Sequence, residues 1–596
     1  MTKNVRKVAC ILLFAGIFFM FLFTLSACSI LNVFSPKHEH DYSQYVSTVE
    51  HDCTERGYDI YMCSCGMTEY RNFVEPSHDF YEKGTKRGTC VSEAQKVFVC
   101  SRCEEQKTEP IEGVLGDHHY VLGKCEYCNA DIVSSSDEYF TFDLKEDGTY
   151  AVSVAENVVM PFQLVIPGTH NDKPVTEIGT FYNILELEEV VIPDTVYLIS
   201  YNAFQGCDYL KYNEYNSIEY LGTKDNPYYA LMDCPSSVDK CIIHNDAKIT
   251  ALYAFNNVSN IGEIVFPENI TYIANTQLRE RITSLEIKGK DTIIAENAFV
   301  SCRKLKNVVL SDGVKEIGSN AFENCLAIES FSFGNGVRVI GDGAFSYSSI
   351  KEANIPDSCE IIGDEAFYFC EELSVATIGN NVKSIGKRAF THTKLKEFVI
   401  TDSVETVGEE AFKASTIEKV TIGAKLGKIE NSLFDSSKLK EITIPSNIKS
   451  IGEYAFCWCR SLKKVTIKNG ATEISTGAFY TCNSIEEIVI PGSVVSIGEN
   501  VFRSCDSIVS ITLMNGVQSI GANAFYFCRA AQKIYIPESL VSIGDSAFAE
   551  SYNIKEVYID DLTAWRNISG LKNLTHYISS DYRLYLNGNL IDKKNI

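Results

Sequence analysis

The sequence predicts a repeat solenoid that is mainly β, built from short parallel strands joined by turns and irregular segments, behind a small Cys/His-rich N-terminal module. The string IGxxAF recurs along the second half of the chain, and its phenylalanine returns every 22 or 23 residues. These phenylalanines are Phe299, Phe322, Phe345, Phe367, Phe390, Phe412, Phe434, Phe456, Phe479, Phe502, Phe525 and Phe548. Eight cysteines and six of the ten histidines lie between His38 and Cys128.

Length and charge narrow the class of protein further. The chain has 596 residues, of which 45% are hydrophobic, and it is too long for one compact core. Its formal net charge of −24 repels phosphate backbones. We therefore expect several modules or an array, and no nucleic acid among the partners.

The first 28 residues have the layout of an export signal. Lys3, Arg6 and Lys7 precede an apolar run over residues 8–25. A run of about 18 apolar residues could also span a bilayer, which is the alternative. The run ends in Leu-Ser-Ala-Cys, which resembles the bacterial lipobox, and this resemblance implies lipidation at Cys28. We predict a signal peptide over residues 1–27, a lipidated tether over 28–37, and attachment to the outer face of the cell membrane through lipid alone.

One repeat, Leu439 to Cys459, shows how each unit is expected to fold. Its sequence is LKEITIPSNIKSIGEYAFCWC, and alternate apolar side chains of EITI point to one side of a short strand. Pro445 ends that strand because proline cannot donate to a ladder. Gly452 is expected to permit a tight bend, and Phe456 to fill the opposite side of the coil.

This unit resembles the BspA-like leucine-rich repeats of bacterial and protist surface proteins, LxxVxIPxxVxxIGxxAFxxC. The resemblance covers residues 137–590, including an opening cap at DGTYAVSV and a degenerate insertion over residues 209–245. It implies a leucine-rich-repeat solenoid over residues 137–559 and a degenerate repeat or cap over residues 560–596.

Cysteines of the repeats are expected to be structural. Eight of them follow the motif phenylalanine by three residues: Cys207, Cys302, Cys325, Cys370, Cys459, Cys482, Cys505 and Cys528. Serine takes the same place in other units, as at Ser348, which is typical of a small packing position. The histidines beyond Cys128 have no repeat register, so no base accompanies these thiols. We predict no catalytic residue, no enzyme activity and no small-molecule substrate.

The Cys/His-rich module, residues 38–131, is predicted to bind structural zinc. Three thiolates and one imidazole form a set that tetrahedral zinc prefers. Two such sets and a shortened third one follow each other: His40, Cys53, Cys63 and Cys65, then His78, Cys90, Cys100 and Cys103, then His118, Cys125 and Cys128. His119 is a candidate fourth ligand of the third set. Disulfides are the alternative, since exported cysteine-rich domains often form them.

The middle residue of each VxI triplet is expected to form an exposed row along the strand ladder, and this row is the predicted contact surface. It includes Thr377, Thr421, Thr443, Thr466, Thr512, Tyr535 and Tyr558. Threonine also forms strands well, so β-propensity is the alternative explanation, but tyrosine is favoured as an interface anchor. We predict a cell-surface protein that binds a protein or glycan ligand. A cell-envelope spacer without a specific ligand and a zinc-scavenging or metal-dependent module are the alternatives.

Overall fold

A computed structural model describes residues 41–50, 55–86, 92–115, 120–121, 124–125, 134–234 and 241–592. The chain divides into an N-terminal unit, residues 1–119 with 126–129, and a C-terminal unit, residues 120–125 with 130–596. The signal segment and Cys28 lie outside the described residues. Within the described ranges, no helix is both long and apolar enough to cross a membrane.

Two antiparallel sheets of three strands each form the described part of the N-terminal unit. Their strands are β1 (Gln44–Val49), β2 (Gly57–Met62) and β3 (Thr68–Val74), then β4 (Phe80–Lys86), β5 (Glu93–Cys100) and β6 (Gln106–Leu115). In the second sheet Phe80 pairs with Cys100 and Lys86 pairs with Gln95. The predicted second set of metal ligands therefore spans one hairpin and the turn that follows it.

The C-terminal unit begins with a two-stranded antiparallel pair and a small mixed sheet. After β7 (Tyr120–Val121) and β8 (Lys124–Cys125) come a 3₁₀ helix (Asp137–Tyr139) and strands β9 (Phe140–Leu144), β10 (Tyr150–Val154), β11 (Gln163–Val165), β12 (Thr169–His170), β13 (Lys173–Ile178), β14 (Glu189–Val191) and β15 (Leu198–Ile199). β9 and β10 form a hairpin, and β10 then pairs in parallel with β13. The turn and second strand of this hairpin are the DGTYAVSV segment that the sequence places at the start of the array.

The degenerate insertion forms an antiparallel meander that joins the array. It contains β16 (Asn213–Tyr215), β17 (Ile218–Leu221) and β18 (Ala230–Asp233), and β18 pairs in parallel with the segment Ile249–Thr250 of the following repeat. Tyr229 is buried, and its hydroxyl donates to the carbonyls of Asp194 and Val196 at 2.9 and 3.0 Å. The insertion is therefore packed into the fold.

From Cys241 onward each repeat contributes two strands that run along two sides of a solenoid. The first half of the array contains β19 (Cys241–Ile242), β20 (Ile249–Thr250), β21 (Gly262–Phe266), β22 (Tyr272–Ile273), β23 (Ile282–Ile287), β24 (Thr292–Ile294), β25 (Asn307–Leu310), β26 (Val314–Ile317), β27 (Ser330–Ser332), β28 (Val339–Ile340), β29 (Glu352–Asn354), β30 (Ile361–Ile362), β31 (Val375–Thr377), β32 (Ser384–Ile385), β33 (Glu397–Val399) and β34 (Thr406–Val407). The second half contains β35 (Lys419–Thr421), β36 (Lys428–Ile429), β37 (Glu441–Ile444), β38 (Ser450–Ile451), β39 (Lys464–Ile467), β40 (Glu473–Ile474), β41 (Glu487–Ile490), β42 (Ser496–Ile497), β43 (Ser510–Leu513), β44 (Ser519–Ile520), β45 (Lys533–Ile536), β46 (Ser542–Ile543) and β47 (Glu556–Ile559).

The odd-numbered strands from β19 to β47 form ladder 1, and the even-numbered strands from β20 to β46 form ladder 2. Hydrogen-bonded runs of ladder 1 join β19 to β27, β29 to β31, and β33 to β47, all in parallel. Exposed and buried residues alternate along β37, where Ile442 and Ile444 are buried while Glu441 and Thr443 are exposed. The predicted solenoid of short parallel strands is confirmed.

The motif phenylalanines form a continuous stack through the core. Neighbouring rings from Phe299 to Phe548 are 4.9 to 5.6 Å apart between centroids, with 2° to 17° between their planes. These rings are almost completely buried. Because each ring packs between the rings of the neighbouring coils, the stack is the continuous core that repeat stacking requires.

Gly452 has a different role from the one that the sequence suggested. Its φ is outside the left-handed region, and a Cβ there would lie 2.8 Å from the backbone N of Asn431 and from the carbonyl C of Glu430. The glycine is needed because the preceding coil approaches closely. The left-handed residue of this turn is Tyr454, with φ of 54°.

The array ends in two short helices and a hairpin. α1 (Leu562–Asn567) has Asp561 as its N-cap, and the carboxylate of Asp561 accepts a hydrogen bond from the backbone N–H of Ala564 at 2.7 Å. After α2 (Lys572–Thr575), strand β48 (Arg583–Leu586) extends ladder 1 in parallel and β49 (Asn589–Ile591) turns back antiparallel. The predicted degenerate repeat therefore continues the sheet by one strand before the hairpin closes it.

Candidate functional site: an exposed ladder face and a Cys/His cluster

The predicted contact row lies on the outward side of ladder 1. Thr377, Thr421 and Thr443 are exposed, while Thr466 and Thr512 are half-buried. Each occupies the outward position of its strand, and the apolar residues on either side face the core. The alternation places these threonines on one face because successive side chains of a strand point to opposite sides.

Tyrosines extend this row at its C-terminal end. Tyr535 and Tyr558 are paired in register, and their ring centroids are 4.4 Å apart with 13° between the planes. Tyr585 on β48 stacks on Tyr558 in the same way, with centroids 4.7 Å apart. Tyr535 and Tyr558 were predicted from the sequence, and Tyr585 was not. The string RLYL around Tyr585 repeats the pattern of KIYI and EVYI and could have revealed it.

The tyrosine stack, Tyr535, Tyr558 and Tyr585, is half-buried, because each ring covers a face of its neighbour. The Tyr558 hydroxyl donates to a carboxylate oxygen of Glu556 at 3.0 Å. Partial burial first, and then this hydrogen bond, raise the pKa of Tyr558 to about 12. The phenol is therefore neutral at physiological pH, and the stack presents ring edges to solvent.

Charges of alternating sign run beside the row. Lys419 pairs with Glu441, which pairs with Lys464, and Lys464 pairs with Glu487. The three strands nearest the tyrosine stack repeat the pattern with Lys533, Glu556 and Arg583. These side chains occupy the first outward position of each strand, two residues before the threonine, valine or tyrosine of the row. The face therefore combines a mixed-charge column with a row of uncharged side chains.

A second aromatic surface, which was not predicted from the sequence, lies on the turns that follow the motif phenylalanine. The residue two positions after that phenylalanine has a left-handed φ of 52° to 63° from Ser301 to Glu550. Tyr347, Phe369 and His392 take this position in consecutive repeats and stack at 5.3 and 4.1 Å. Bulky residues are uncommon at such φ values, so residue preferences do not predict aromatic side chains here. The signal that could have revealed this surface is the spacing of 22 to 23 residues between the three aromatics.

Cysteines three residues after the motif phenylalanine lie in the core. The Cys482 thiol donates to the carbonyl of Phe456 in the preceding repeat at 2.9 Å, and Cys505 contacts the carbonyl of Phe479 at 3.2 Å. At the same position Ser551 donates to the carbonyl of Phe525 at 2.9 Å. Burial raises the pKa of the Cys482 and Cys505 thiols well above the ordinary value, and that of Cys370 to about 12. The position selects a small donor, and these three thiols are protonated.

Three of the four residues in the second predicted metal set converge. The ligand atoms of His78, Cys100 and Cys103 all lie within 4.8 Å of one another. The Cys103 sulfur is 3.4 Å from Nδ1 of His78, whose Nε2 lies 3.1 Å from a carboxylate oxygen of Glu105. Cys100 is buried at the end of β5, whereas Cys103 is exposed in the turn before β6.

Cys63 and Cys65 of the first set occupy the corresponding turn between β2 and β3. Cys63 is buried and Cys65 is exposed, and the Cys63 N–H donates to the carbonyl of Met67 at 2.8 Å. Cys125 lies at the end of β8 in the third set. The remaining predicted ligands, His40, Cys53, Cys90, His118 and Cys128, and also His119, lie outside the described residues.

The repeat length, the parallel ladders and the stacked phenylalanine core define a leucine-rich-repeat solenoid. The model of the BspA type leucine-rich repeat region matches residues 176–288, 277–394, 383–506 and 472–569, which together span 176–569. The chain belongs to the BspA-type leucine-rich-repeat family. None of the curated proteins compared is significantly similar to it.

Solved structures of bacterial leucine-rich-repeat proteins are similar to this chain. A leucine-rich repeat protein of Bacteroides ovatus is 23% identical, and the match covers 77% of this chain and all of that one, with a TM-score of 0.40. A leucine rich cell surface protein of Faecalibacterium prausnitzii is 23% identical over 74% of this chain and 98% of its own, with a TM-score of 0.30. The pneumococcal vaccine antigen PcpA is 16% identical over 76% and 98%, with a TM-score of 0.32.

Proposed function

We propose that this protein binds another protein at the cell surface through the outward face of ladder 1, with the tyrosine stack as its anchor. The observation that carries the proposal is the stack itself, three tyrosines in register on neighbouring strands at the end of a row of threonines. Aromatic residues also form strands well, but the outward row from Val309 to Thr512 contains none, and the three tyrosines occur together at its end. Tyrosine is enriched among the few residues that dominate interface energies.

The orientation of the rings favours a protein over a glycan. Sugars bind aromatic side chains through a free ring face. The faces of Tyr558 are covered by Tyr535 and Tyr585, so the middle of the stack offers edges only. Ring edges carry positive partial charge and suit carbonyl and carboxylate oxygens of a polypeptide. The neighbouring column of Lys533, Glu556 and Arg583 adds charges of both signs that a protein surface can match.

Surface location by lipid anchoring is part of the same proposal. Its support is the sequence: a basic start, an apolar run and a lipobox-like tripeptide before Cys28. A diacylated cysteine carries two acyl chains, which is enough for stable attachment. The Faecalibacterium prausnitzii relative described as a cell surface protein is consistent with this location.

A comparison of three versions of the full chain tests the binding face. The versions are the unchanged protein, the triple variant Tyr535→Ser, Tyr558→Ser and Tyr585→Ser, and a control, Tyr182→Ser with Tyr209→Ser, which changes two exposed tyrosines of the opening coils. Proteins captured from surface extracts of neighbouring cells are identified by quantitative mass spectrometry, and one captured protein is then titrated directly. We expect the triple variant to bind it at least about thirtyfold more weakly, which corresponds to about 2 kcal/mol. The control variant should bind normally.

Two outcomes contradict the proposal. Equal affinity of the unchanged chain and the triple variant for the captured protein places the contact elsewhere on the molecule. Binding to a panel of immobilised glycans that depends on the three tyrosines, without any protein ligand, makes the partner a glycan. Circular dichroism of all versions checks that the array remains folded.

A further inference from the structure

The described Cys/His residues of the second sheet share one end of the β4–β5 hairpin. Phe80 is the cross-strand partner of Cys100, and His78 lies two residues before Phe80. The imidazole of His78 stacks on the Phe80 ring with centroids 5.2 Å apart. The histidine is therefore held beside the last residue of β5 by strand pairing and by its own ring contact.

The turn after β5 brings the second sulfur to the same place. The Cys100 N–H donates to the carbonyl of Glu105 at 2.8 Å, and Glu104 adopts a left-handed φ of 61°. The Ser101 N–H donates to the carbonyl of Asp79, next to His78, at 2.9 Å. These bonds fix the turn against the segment that carries the histidine.

The distances between the ligand atoms match those of a tetrahedral zinc site. Zn–S bonds of about 2.3 Å and Zn–N bonds of about 2.0 Å place sulfur and nitrogen about 3.5 Å apart around one tetrahedral ion. Nδ1 of His78 is 3.4 Å from the Cys103 sulfur, and all three ligand atoms lie within 4.8 Å of one another. A hydrogen bond between the Cys103 thiol and the His78 imidazole would also explain the distance of 3.4 Å. It would not explain why the Cys100 sulfur lies within 4.8 Å of both atoms.

Glu105 fixes the chemical form of the imidazole. Its carboxylate lies 3.1 Å from Nε2 of His78, so Nε2 carries the hydrogen and donates it. Nδ1 then has its lone pair free for a metal ion on the side of the two sulfurs. A carboxylate on the far nitrogen of a metal-binding histidine is a common arrangement because it orients the ring and raises its basicity.

The spacing in the sequence suggested that Cys90 shares this site, but Cys90 lies outside the described residues. Glu93 is seven residues before Cys100 along β5, a distance of about 24 Å in an extended strand. Lys86 pairs with Gln95, so this end of the hairpin is opposite to the end that carries Cys100.

We propose that His78, Cys100 and Cys103 bind one zinc ion through Nδ1 and two thiolates, and that Glu105 positions the imidazole. The three described ligands leave the fourth tetrahedral position to another group. The turn of Cys63 and Cys65 repeats the same plan, with the Cys63 N–H bonded to Met67 and a left-handed Gly66. The N-terminal unit has few buried apolar side chains among its described residues, so bound metal would supply part of its folding energy.

Zinc analysis of the full chain, purified without chelator, tests the proposal. We expect His78→Ala and Cys103→Ser each to contain one zinc equivalent fewer than the unchanged protein. Cys528→Ser, which makes the same change in the repeat array, should keep the full content. Glu105→Gln should retain the ion with an affinity about 10 to 100-fold weaker in competition with a chromophoric chelator.

Further measurements separate loss of a ligand from loss of the fold. Cys103→His retains a ligand atom and should restore the zinc equivalent that Cys103→Ser loses. In the unchanged protein the exposed Cys103 should react slowly with a thiol reagent and quickly after chelation. Unchanged zinc content in His78→Ala and Cys103→Ser overturns the ligand set. A Cys100–Cys103 disulfide found by mass spectrometry in a metal-free chain overturns the zinc site itself.

Discussion

The Phe456 ring stacks on the Phe479 ring with centroids 4.9 Å apart and 5° between their planes. Both rings are fully buried, and each also stacks on the phenylalanine of its other neighbouring coil. Each coil therefore depends on its neighbours for burial of its largest side chain. This relationship makes the array cooperative over neighbouring repeats.

Phe456→Ala should destabilise the array by about 3 to 5 kcal/mol, because the ring leaves a cavity that rigid neighbouring coils cannot fill. The measurement is urea unfolding followed by circular dichroism. The control is Thr443→Ala, at an exposed position on β37 of the same repeat, and it should change the free energy of unfolding by less than about 0.5 kcal/mol. A loss below about 1 kcal/mol for Phe456→Ala contradicts this account of the core.

Cys482→Ser should be better tolerated than Cys482→Ala. Serine keeps a donor to the carbonyl of Phe456, as Ser551 already does for the carbonyl of Phe525. Alanine removes the donor and leaves a small void, so we expect a further loss of about 1 kcal/mol. Unfolding of the two variants under the same conditions decides it. Equal stability would mean that the buried hydrogen bond contributes nothing.

Gly452→Ala and Gly427→Ala should have opposite effects. A Cβ at Gly452 would lie 2.8 Å from backbone atoms of the preceding coil, whereas a Cβ at Gly427 meets nothing within 4 Å. We expect the first change to cost about 1 to 3 kcal/mol. The second should be neutral or stabilise by up to about 1 kcal/mol, because alanine restricts the unfolded chain. Thermal unfolding of both variants checks the order, and a more stable Gly452→Ala would contradict it.

Acid should weaken one ion-pair network in a defined pH range. The Glu360 carboxylate accepts hydrogen bonds from Lys383 at 2.7 Å and from Arg338 at 2.7 and 3.1 Å. Lys383 and then Arg338 lower the pKa of Glu360 from 4.5 to about 2. Because the unfolded chain binds the proton more readily, this stabilising contribution is complete above pH 4.5 and is lost as the pH falls towards 2.

Glu360→Gln should therefore reduce the slope of the unfolding free energy against pH between about 2 and 4.5. Lys383→Gln should reduce it partly, since Arg338 remains. Urea unfolding at several pH values provides the slopes. The same slope in the unchanged protein and in Glu360→Gln would show that the exposed pair is fully screened.

Cys28→Ala should abolish lipid labelling and leave the precursor uncleaved, because the lipoprotein peptidase acts before a lipidated cysteine. Metabolic labelling with a fatty acid and the size of the mature chain provide the two readouts. Cys10→Ala, within the apolar run, is a matched cysteine control and should be labelled normally. Normal labelling of Cys28→Ala would exclude a lipoprotein.

The sequence alone determined the solenoid, its period and the inward side of each coil. Repeats of 22 or 23 residues with the same apolar positions bury those side chains by stacking coil on coil. Ile442, Ile444 and Phe456 lie in the core, as expected. The burial of the repeat cysteines followed from the same register, since a position that holds cysteine, serine or threonine from Phe299 to Phe548 is a small packing position in each coil.

Only the tertiary structure decided which residues meet across coils and hairpins. Tyr585 joins Tyr535 and Tyr558 because α1 and α2 fill the gap and return the chain to ladder 1. His78 meets Cys100 and Cys103, while the strand ends beside Cys90 lie at the other end of the hairpin. Spacing along the sequence measures contour length. The direction and pairing of the strands determine which points along that contour come together.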